Sequence, residues 1–458
     1  MTLTAIIIGG DAAGMSAASK IKREVEDADV IVFEKTQTIS YSACGMPYWI
    51  AGIIDEEEDL LIVTPEKARS KRGLDVRLGH VVTAIDPDAK TVSVTNLEQD
   101  AAFTQPYDVL VIATGARPML PPIPGMDLPG VFVLRAFADS QRIHRYLAEY
   151  DPESAVIIGG GYIGVEMAEA LRERDMDVHI VEMLPQIMPN FDEEMVQDAS
   201  KHLQEQGVEL HLGTSAQGVE QRGERLAVKL AGGRELVCEM VIVSVGVQPN
   251  SELAAEAGLA LTVKNAIKVD DHMRTSAADI WAAGDCVAHR HAVLEEETWI
   301  PLAPSANKGG RVAGENAAGG DAAMSDILGT AVVKVFDYTL SVTGLTERAA
   351  RESGKFGPEG EEVGAATITA YDRGHYWPGA SKIKVKLVAD RRNGKILGGQ
   401  LSGKAGVNKR IDIIATAIAA GMTVDELAML DLSYAPPYSA PYDPVQVCAN
   451  VASKQVRG

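Results

Sequence analysis

The sequence predicts an α/β chain made of two Rossmann-like dinucleotide-binding domains followed by an α+β C-terminal domain. Three observations carry this expectation. A strand, glycine turn, helix and second strand occur in series twice, in "AIIIGGDAAGMSAASKIKREVEDADVIVFEK" from residue 5 and in "AVIIGGGYIGVEMAEALRERDMDVHIVEM" from residue 155. The chain has 458 residues, too many for one hydrophobic core. After residue 330, strand-like "AVVKVFDYTLSVTG" and "KIKVKLVAD" lead into a helical "NKRIDIIATAIAAG".

In the first repeat, the apolar run Ala5–Ile8 meets a turn holding Gly9 and Gly14, with Asp11 where a second glycine is usual. Such glycines let the backbone approach a pyrophosphate at a helix N-terminus. Glu34, followed by Lys35, closes the second strand, where a carboxylate can accept from ribose hydroxyls. Next comes "TISYSACGMPYWIAG", with Cys44 between small residues and Gly45 and Pro47 suited to opening a helix. The strand end "VIATGARP" (111–118) adds Ala113, Thr114 and Gly115 to the candidate cofactor residues.

The second repeat fits G-x-G-x-x-G through Gly159, Gly161 and Gly164, and its helix begins at Tyr162 and Ile163 and carries Glu166. Glu182 ends its second strand with no arginine close behind, which favours NADH over NADPH; the latter would need an arginine from elsewhere in the fold. Two such units imply two dinucleotides. Gly246 joins the cofactor-binding set, as do Gly284 and Asp285 in "TSAADIWAAGDC", whose carboxylate suits a flavin's ribityl chain. Residues 302–320 read as a further helix.

Composition narrows the function. Hydrophobic residues make up 46% and charged residues 23%, as in an ordinary globular protein, and a net charge of −21 argues against a nucleic-acid partner. That charge leaves room for a local basic pocket. Cys44, Cys238, Cys286 and Cys448 form no CxxC pair, so neither a disulfide framework nor a cysteine zinc site is expected, and no metal is assigned. The last three sit in apolar contexts and read as ordinary buried residues. "MTLTAIIIGG" enters a strand with no basic leader, and runs such as "IDIIATAIAAGM" are short and interrupted. A cytoplasmic protein with no membrane span is expected.

In this order of motifs, the chain resembles the flavin-dependent pyridine nucleotide–disulfide oxidoreductases along nearly its whole length. The resemblance implies an FAD-binding domain of residues 1–118 and 250–325, an NAD(P)H-binding domain of 119–249, and a C-terminal dimerisation domain of 330–458. In the branch with an internal disulfide, a second cysteine stands where this chain has Trp49, and a C-terminal histidine is usual; "DLSYAPPYSAPYDPVQV" has none. The chain therefore resembles the single-cysteine branch. Peroxidases and oxidases of that branch place a histidine where Ala12 stands here. "GGDAAGMSAAS", "CGMPY", "YWPGA" and "YAPPY" are most similar to the coenzyme A-disulfide reductases.

That likeness implies a homodimer in which Tyr376 and Tyr434 reach the partner's active site. It implies electron transfer from NAD(P)H through FAD and Cys44 to coenzyme A disulfide, a persulfide or a polysulfide. The alternative is an NADH oxidase or peroxidase cycling Cys44 through sulfenic acid. Coenzyme A carries phosphates, for which Lys20, Arg23, Lys71 and Arg72 are the candidate cations, with Ser40 and Ser42 on the pantetheine arm. Ala43 stands where relatives often have asparagine. A helix start and a flavin beside Cys44 are both expected to depress its thiol pKa. With no rhodanese-like segment after Gly458, persulfide delivery is expected from another protein.

Overall fold

Strand Thr4–Ile8 is apolar on both sides because both sides of its sheet are covered. In the computed structural model, which describes residues 2–457, Ala5 and Ile7 face helices while Ile6 and Ile8 face an antiparallel meander. The sheet is parallel, in the order Ile280–Ala282, Val109–Ile112, Thr4–Ile8, Asp29–Glu34, Asp75–Leu78. Its outermost strand, Ile280–Ala282, comes from beyond the second repeat, so the chain leaves this unit and returns to it.

Helix Ala12–Glu24 packs closely on helix Ala303–Ala317. A Cβ on Gly310 would lie 2.2 Å from the Ala13 carbonyl oxygen, so only glycine permits that approach. This packing brings the start of the chain to residues 303–317.

The second repeat builds the same architecture. Its parallel sheet runs Val208–Leu212, Asp177–Glu182, Ser154–Ile158, Met240–Val243, Val131–Phe132. The meander Ala216–Arg222, Arg225–Leu230, Glu235–Cys238 covers one face through Val219, Leu226 and Val228.

The C-terminal part is a five-stranded antiparallel sheet ordered Ala331–Val335, Tyr338–Gly344, Ile396–Gly403, Lys382–Asp390, Val363–Tyr371. Helices Val407–Ala419 and Pro444–Arg457 pack on it around Ile383, Val385 and Leu387. The two strand-like runs and the helix expected there are all present. A charged knot ties this sheet to the second unit. Lys386, 2% exposed, lies 3.0 Å from Asp192, 2.5 Å from Glu194 and 2.8 Å from Glu347. Among the described residues, no helix is long and apolar enough to cross a membrane.

Candidate active site

The two repeats present their acidic residues identically. Glu34 Oε2 accepts from the Gly10 amide at 2.8 Å and Oε1 from the Thr36 amide at 2.7 Å. Glu182 Oε2 accepts from Gly160 at 2.7 Å and Oε1 from Leu184 at 2.8 Å. An ionised carboxylate has about four lone-pair sites, so each retains capacity for a diol. Behind each carboxylate is a tight turn. Gly9 and Gly159 have φ of +106° and +108°, and a Cβ at either would strike a carbonyl oxygen of the neighbouring strand end, Ala113 or Ser244. A Cβ on Gly14 or Gly164 would strike the carbonyl oxygen of Gly9 or Gly159.

A cleft of about 460 Å³ opens from the first turn, walled by Gly9, Glu34, Lys35, Ala113, Thr114, Gly115 and Arg135. A Cβ on Gly115, at the neighbouring strand end, or on Gly161, in the second turn, would meet no atom within 4 Å, so these two positions present bare backbone to open space. Glycine amides and a nearby guanidinium as donors, with a waiting carboxylate as acceptor, form a set suited to a dinucleotide. Arg135 Nη2 donates to Asp285 Oδ2 at 2.5 Å, which connects the turn after strand Ile280–Ala282 to the cleft wall. Burial pushes the Asp11 carboxyl up to about 6, against the Ala12 amide and Arg135. Gly284 and Gly246 line neither this cleft nor the basic cavity described below. Gly284 packs on Ala13, and the Gly246 carbonyl accepts from the Met119 amide at 2.9 Å.

Cys44 sits in the 3₁₀ turn Ala43–Gly45 and is exposed, whereas Cys238, Cys286 and Cys448 are buried. Burial pushes Cys238 and Cys448 up to about 12 and also raises Cys286, so all three are inert thiols. For Cys44 the expected depression is not found. Shielding of its sulfur end pushes the thiol up, the Glu166 carboxylate adds to this, and Arg135 opposes it; Asp285 and Asp11 push it further up. The following helix, Met46–Ile50, has five residues and supplies little dipole.

Glu166 itself is pushed up to about 7 by burial and by Glu169. It lies one turn into helix Tyr162–Arg172. At the start of that helix the Tyr162 hydroxyl accepts from Asn190 Nδ2 at 2.7 Å, while Ile163 packs against the core. Burial raises the Tyr162 phenol to about 12.

A second cavity, about 1010 Å³, is walled by the candidates Arg23, Lys71, Arg72 and Ser40, and also by Lys22, Asn307, Lys308 and Arg311. Lys20 is not in its wall. Its ammonium is held by Glu24 at 2.5 Å and Glu315 at 2.9 Å, on the opposite flank of the helix. Ser42 is also absent from the wall; it caps the turn that carries Cys44, its carbonyl accepting from the Gly45 amide at 2.9 Å. Tyr376 and Tyr434 line neither cavity of their own chain. Both are exposed, and a hydrogen bond with Tyr376 holds the Tyr434 phenol above its ordinary value.

A family model described as pyridine nucleotide-disulphide oxidoreductase matches residues 3–310, and its dimerisation-domain counterpart matches 330–443. The chain belongs to the pyridine nucleotide-disulphide oxidoreductases. Family relatives include a protein of Methanocaldococcus jannaschii named NADH oxidase, 36% identical over 99% of each chain. Another, from Pyrococcus horikoshii, is named NAD(P)H coenzyme A polysulfide/persulfide reductase and is 37% identical over 97% of each chain. Among solved structures, reduced Bacillus anthracis CoADR-RHD superposes with a TM-score of 0.95 at 39% identity, covering all of this chain and 81% of that one.

Within this family frame, sequence reasoning missed four wall residues of the basic cavity. Asn307, Lys308 and Arg311 were legible only as part of a helix; their i, i+4 spacing marks one face but does not say what that face meets. Lys22, two residues from Lys20 and on nearly the opposite side of the same helix, is the lysine that faces the cavity.

Proposed function

We propose that this protein is an FAD-dependent, NADH-preferring reductase of coenzyme A disulfide or a related persulfide or polysulfide, acting through Cys44. One observation carries the reading: the exposed thiol lies on the same loop as Ser40, which walls a large cavity containing Lys22, Arg23, Lys71, Arg72, Lys308 and Arg311. In a chain of net charge −21, six cations around one space select a polyanionic ligand. Coenzyme A offers phosphates to those cations and a sulfur to Cys44.

Glu34, Gly9 and the strand end Ala113–Gly115 would hold the ADP half of FAD, with Asp285 at its ribityl chain. Glu182 and the Gly159–Gly164 turn would hold NADH. When bound, FAD supplies the electron relay between nicotinamide and sulfur. Tyr162 would cover the nicotinamide face until NADH enters, and Glu166 would orient the ring. The Cys44 thiolate attacks one sulfur of the substrate, a mixed disulfide forms, and the other sulfur leaves as a thiolate. Tyr434 of the partner subunit donates the proton that the leaving thiolate needs, in a homodimer built on the C-terminal sheet. Ala12, with no proton to give, walls the basic cavity where an oxidase would carry histidine.

A second reading, oxygen or peroxide reduction through a Cys44 sulfenic acid, draws on the name of the archaeal relative. NADH consumption measured separately with coenzyme A disulfide, polysulfide, peroxide and oxygen distinguishes the two. Faster turnover on peroxide or oxygen would replace the preferred assignment. Mass spectrometry of the purified protein is expected to find coenzyme A on the Cys44 peptide, removable by a dithiol. Cys44→Ser is expected to keep its flavin and lose disulfide reduction; retained reduction would exclude Cys44 as the nucleophile.

A further inference from the structure

On the outer edge of the second parallel sheet, remote in sequence from Cys44, three side chains converge. His179 stands on strand Asp177–Glu182, and Glu209 and His211 stand on the neighbouring edge strand Val208–Leu212. The parallel register pairs His179 with Glu209, and the two-residue period places His211 on the same face. His179 Nδ1 is 3.1 Å from His211 Nε2 and 3.3 Å from Glu209 Oε2, and the last two atoms are 3.9 Å apart. Ligand atoms held about 2.0–2.1 Å from a tetrahedral zinc ion lie roughly 3.3 Å from one another. The two separations from His179 Nδ1 match that spacing, and the 3.9 Å between Glu209 Oε2 and His211 Nε2 closes to it by a small rotation of the exposed Glu209 side chain.

The hydrogen bonding here is incomplete. Arg234 Nη2 donates to His211 Nδ1 at 2.6 Å, and a guanidinium can only donate. His211 Nδ1 therefore bears no proton, and the ring's hydrogen is on Nε2, directed at His179 Nδ1. That nitrogen is then an acceptor too, and it faces Glu209 Oε2 with no proton between them. Two lone pairs opposed at 3.3 Å are an unfavourable contact that a cation among the three atoms would relieve.

We propose that His179 Nδ1, Glu209 and His211 Nε2 form a binding site for a borderline divalent transition ion of the zinc class, gated by Arg234. Two imidazoles and one carboxylate suit zinc, and leave a fourth position for water. Binding moves the His211 proton from Nε2 to Nδ1, so the ring stays neutral. The new Nδ1–H repels the guanidinium, and Arg234, exposed at the tip of the meander, swings into solvent. The ion would clamp the two outer strands of the sheet, one of which ends in Glu182.

The test uses untagged, full-length, flavin-loaded Cys44→Ser protein, so that the exposed thiol does not compete. Titration with Zn²⁺ by calorimetry is expected to saturate at one ion per chain, and Mg²⁺ to give no heat. Co²⁺ is expected to produce the visible absorption of a tetrahedral nitrogen–oxygen site. Losing an outer-sphere partner costs roughly 10- to 100-fold in affinity, so His211→Gln, which removes a ligand, is expected to cost more. Arg234→Ala, at an exposed position, is expected to tighten binding several-fold. Absent saturation, or affinity unchanged in the folded His179→Gln/His211→Gln protein, would overturn the site. Unchanged affinity in Arg234→Ala would overturn the gate.

Discussion

Cys44 is surrounded by the carboxylates of Glu166, Asp285 and Asp11, with the Arg135 guanidinium opposing them. A thiol held above its ordinary pKa carries less thiolate at neutral pH, so nucleophilic attack by Cys44 should accelerate as pH rises through the alkaline range. Glu166 is the largest named charge in that balance, and its own carboxyl is raised to about 7. Glu166→Gln is therefore expected to move the pH profile of Cys44 alkylation to lower pH. An unchanged profile would show that the Glu166 charge does not help to set the thiol. The cysteine's identity was readable from its motif; its charge environment was not. Glu166 and Asp285 stand on segments far along the chain, and local sequence does not encode their approach.

At the scale of elements, helix Ala12–Glu24 packed on helix Ala303–Ala317 decides which cations share a space. Arg23, Lys22, Lys308 and Arg311 meet across that pair, while Lys20 turns to Glu24 and Glu315. A hydrogen bond between charged groups is worth about 1.5–3 kcal/mol, or roughly 10- to 100-fold in affinity. Lys308→Ala and Arg311→Ala are each expected to raise KM for coenzyme A disulfide by about that much, and to leave KM for inorganic polysulfide, which has no phosphate, nearly unchanged. Lys20→Ala should move neither. Equal losses on both substrates would make the cavity structural and not a phosphate site. The sequence reading had Arg23, Lys71 and Arg72 in the wall because basic residues stand out in an acidic chain. Lys20, which the sequence also offers, lies outside the wall, because two lysines on one helix differ only in what packs beside them.

Across the whole molecule, Lys386 joins the C-terminal sheet to helix Glu193–Glu205 through Asp192 and Glu194, and also pairs with Glu347 at the start of helix Glu347–Glu352. The Asp192 carboxylate also accepts from the Glu347 and Arg348 amides and from Gln400 Nε2 at 2.6 Å. Removing one member of such a buried set leaves like charges facing each other without compensation. Lys386→Met is expected to destabilise the protein by about 3–5 kcal/mol in denaturant unfolding at fixed protein concentration. Replacing Asp192 and Glu194 with their amides in the same chain should recover part of that loss. No recovery would mean that the lysine acts through packing and not through its charge.

The sequence by itself determined the two glycine turns with Glu34 and Glu182 at their strand ends, the α/β class, and the odd cysteine, because each is written within a few tens of residues under strict steric rules. Tertiary structure alone decided the Arg135–Asp285 link, the full set of cations around the large cavity, the raised thiol, and the His179–Glu209–His211 cluster. Those features depend on which faces of distant segments come together. Packing of the whole chain selects that, and no local pattern of residue types specifies it.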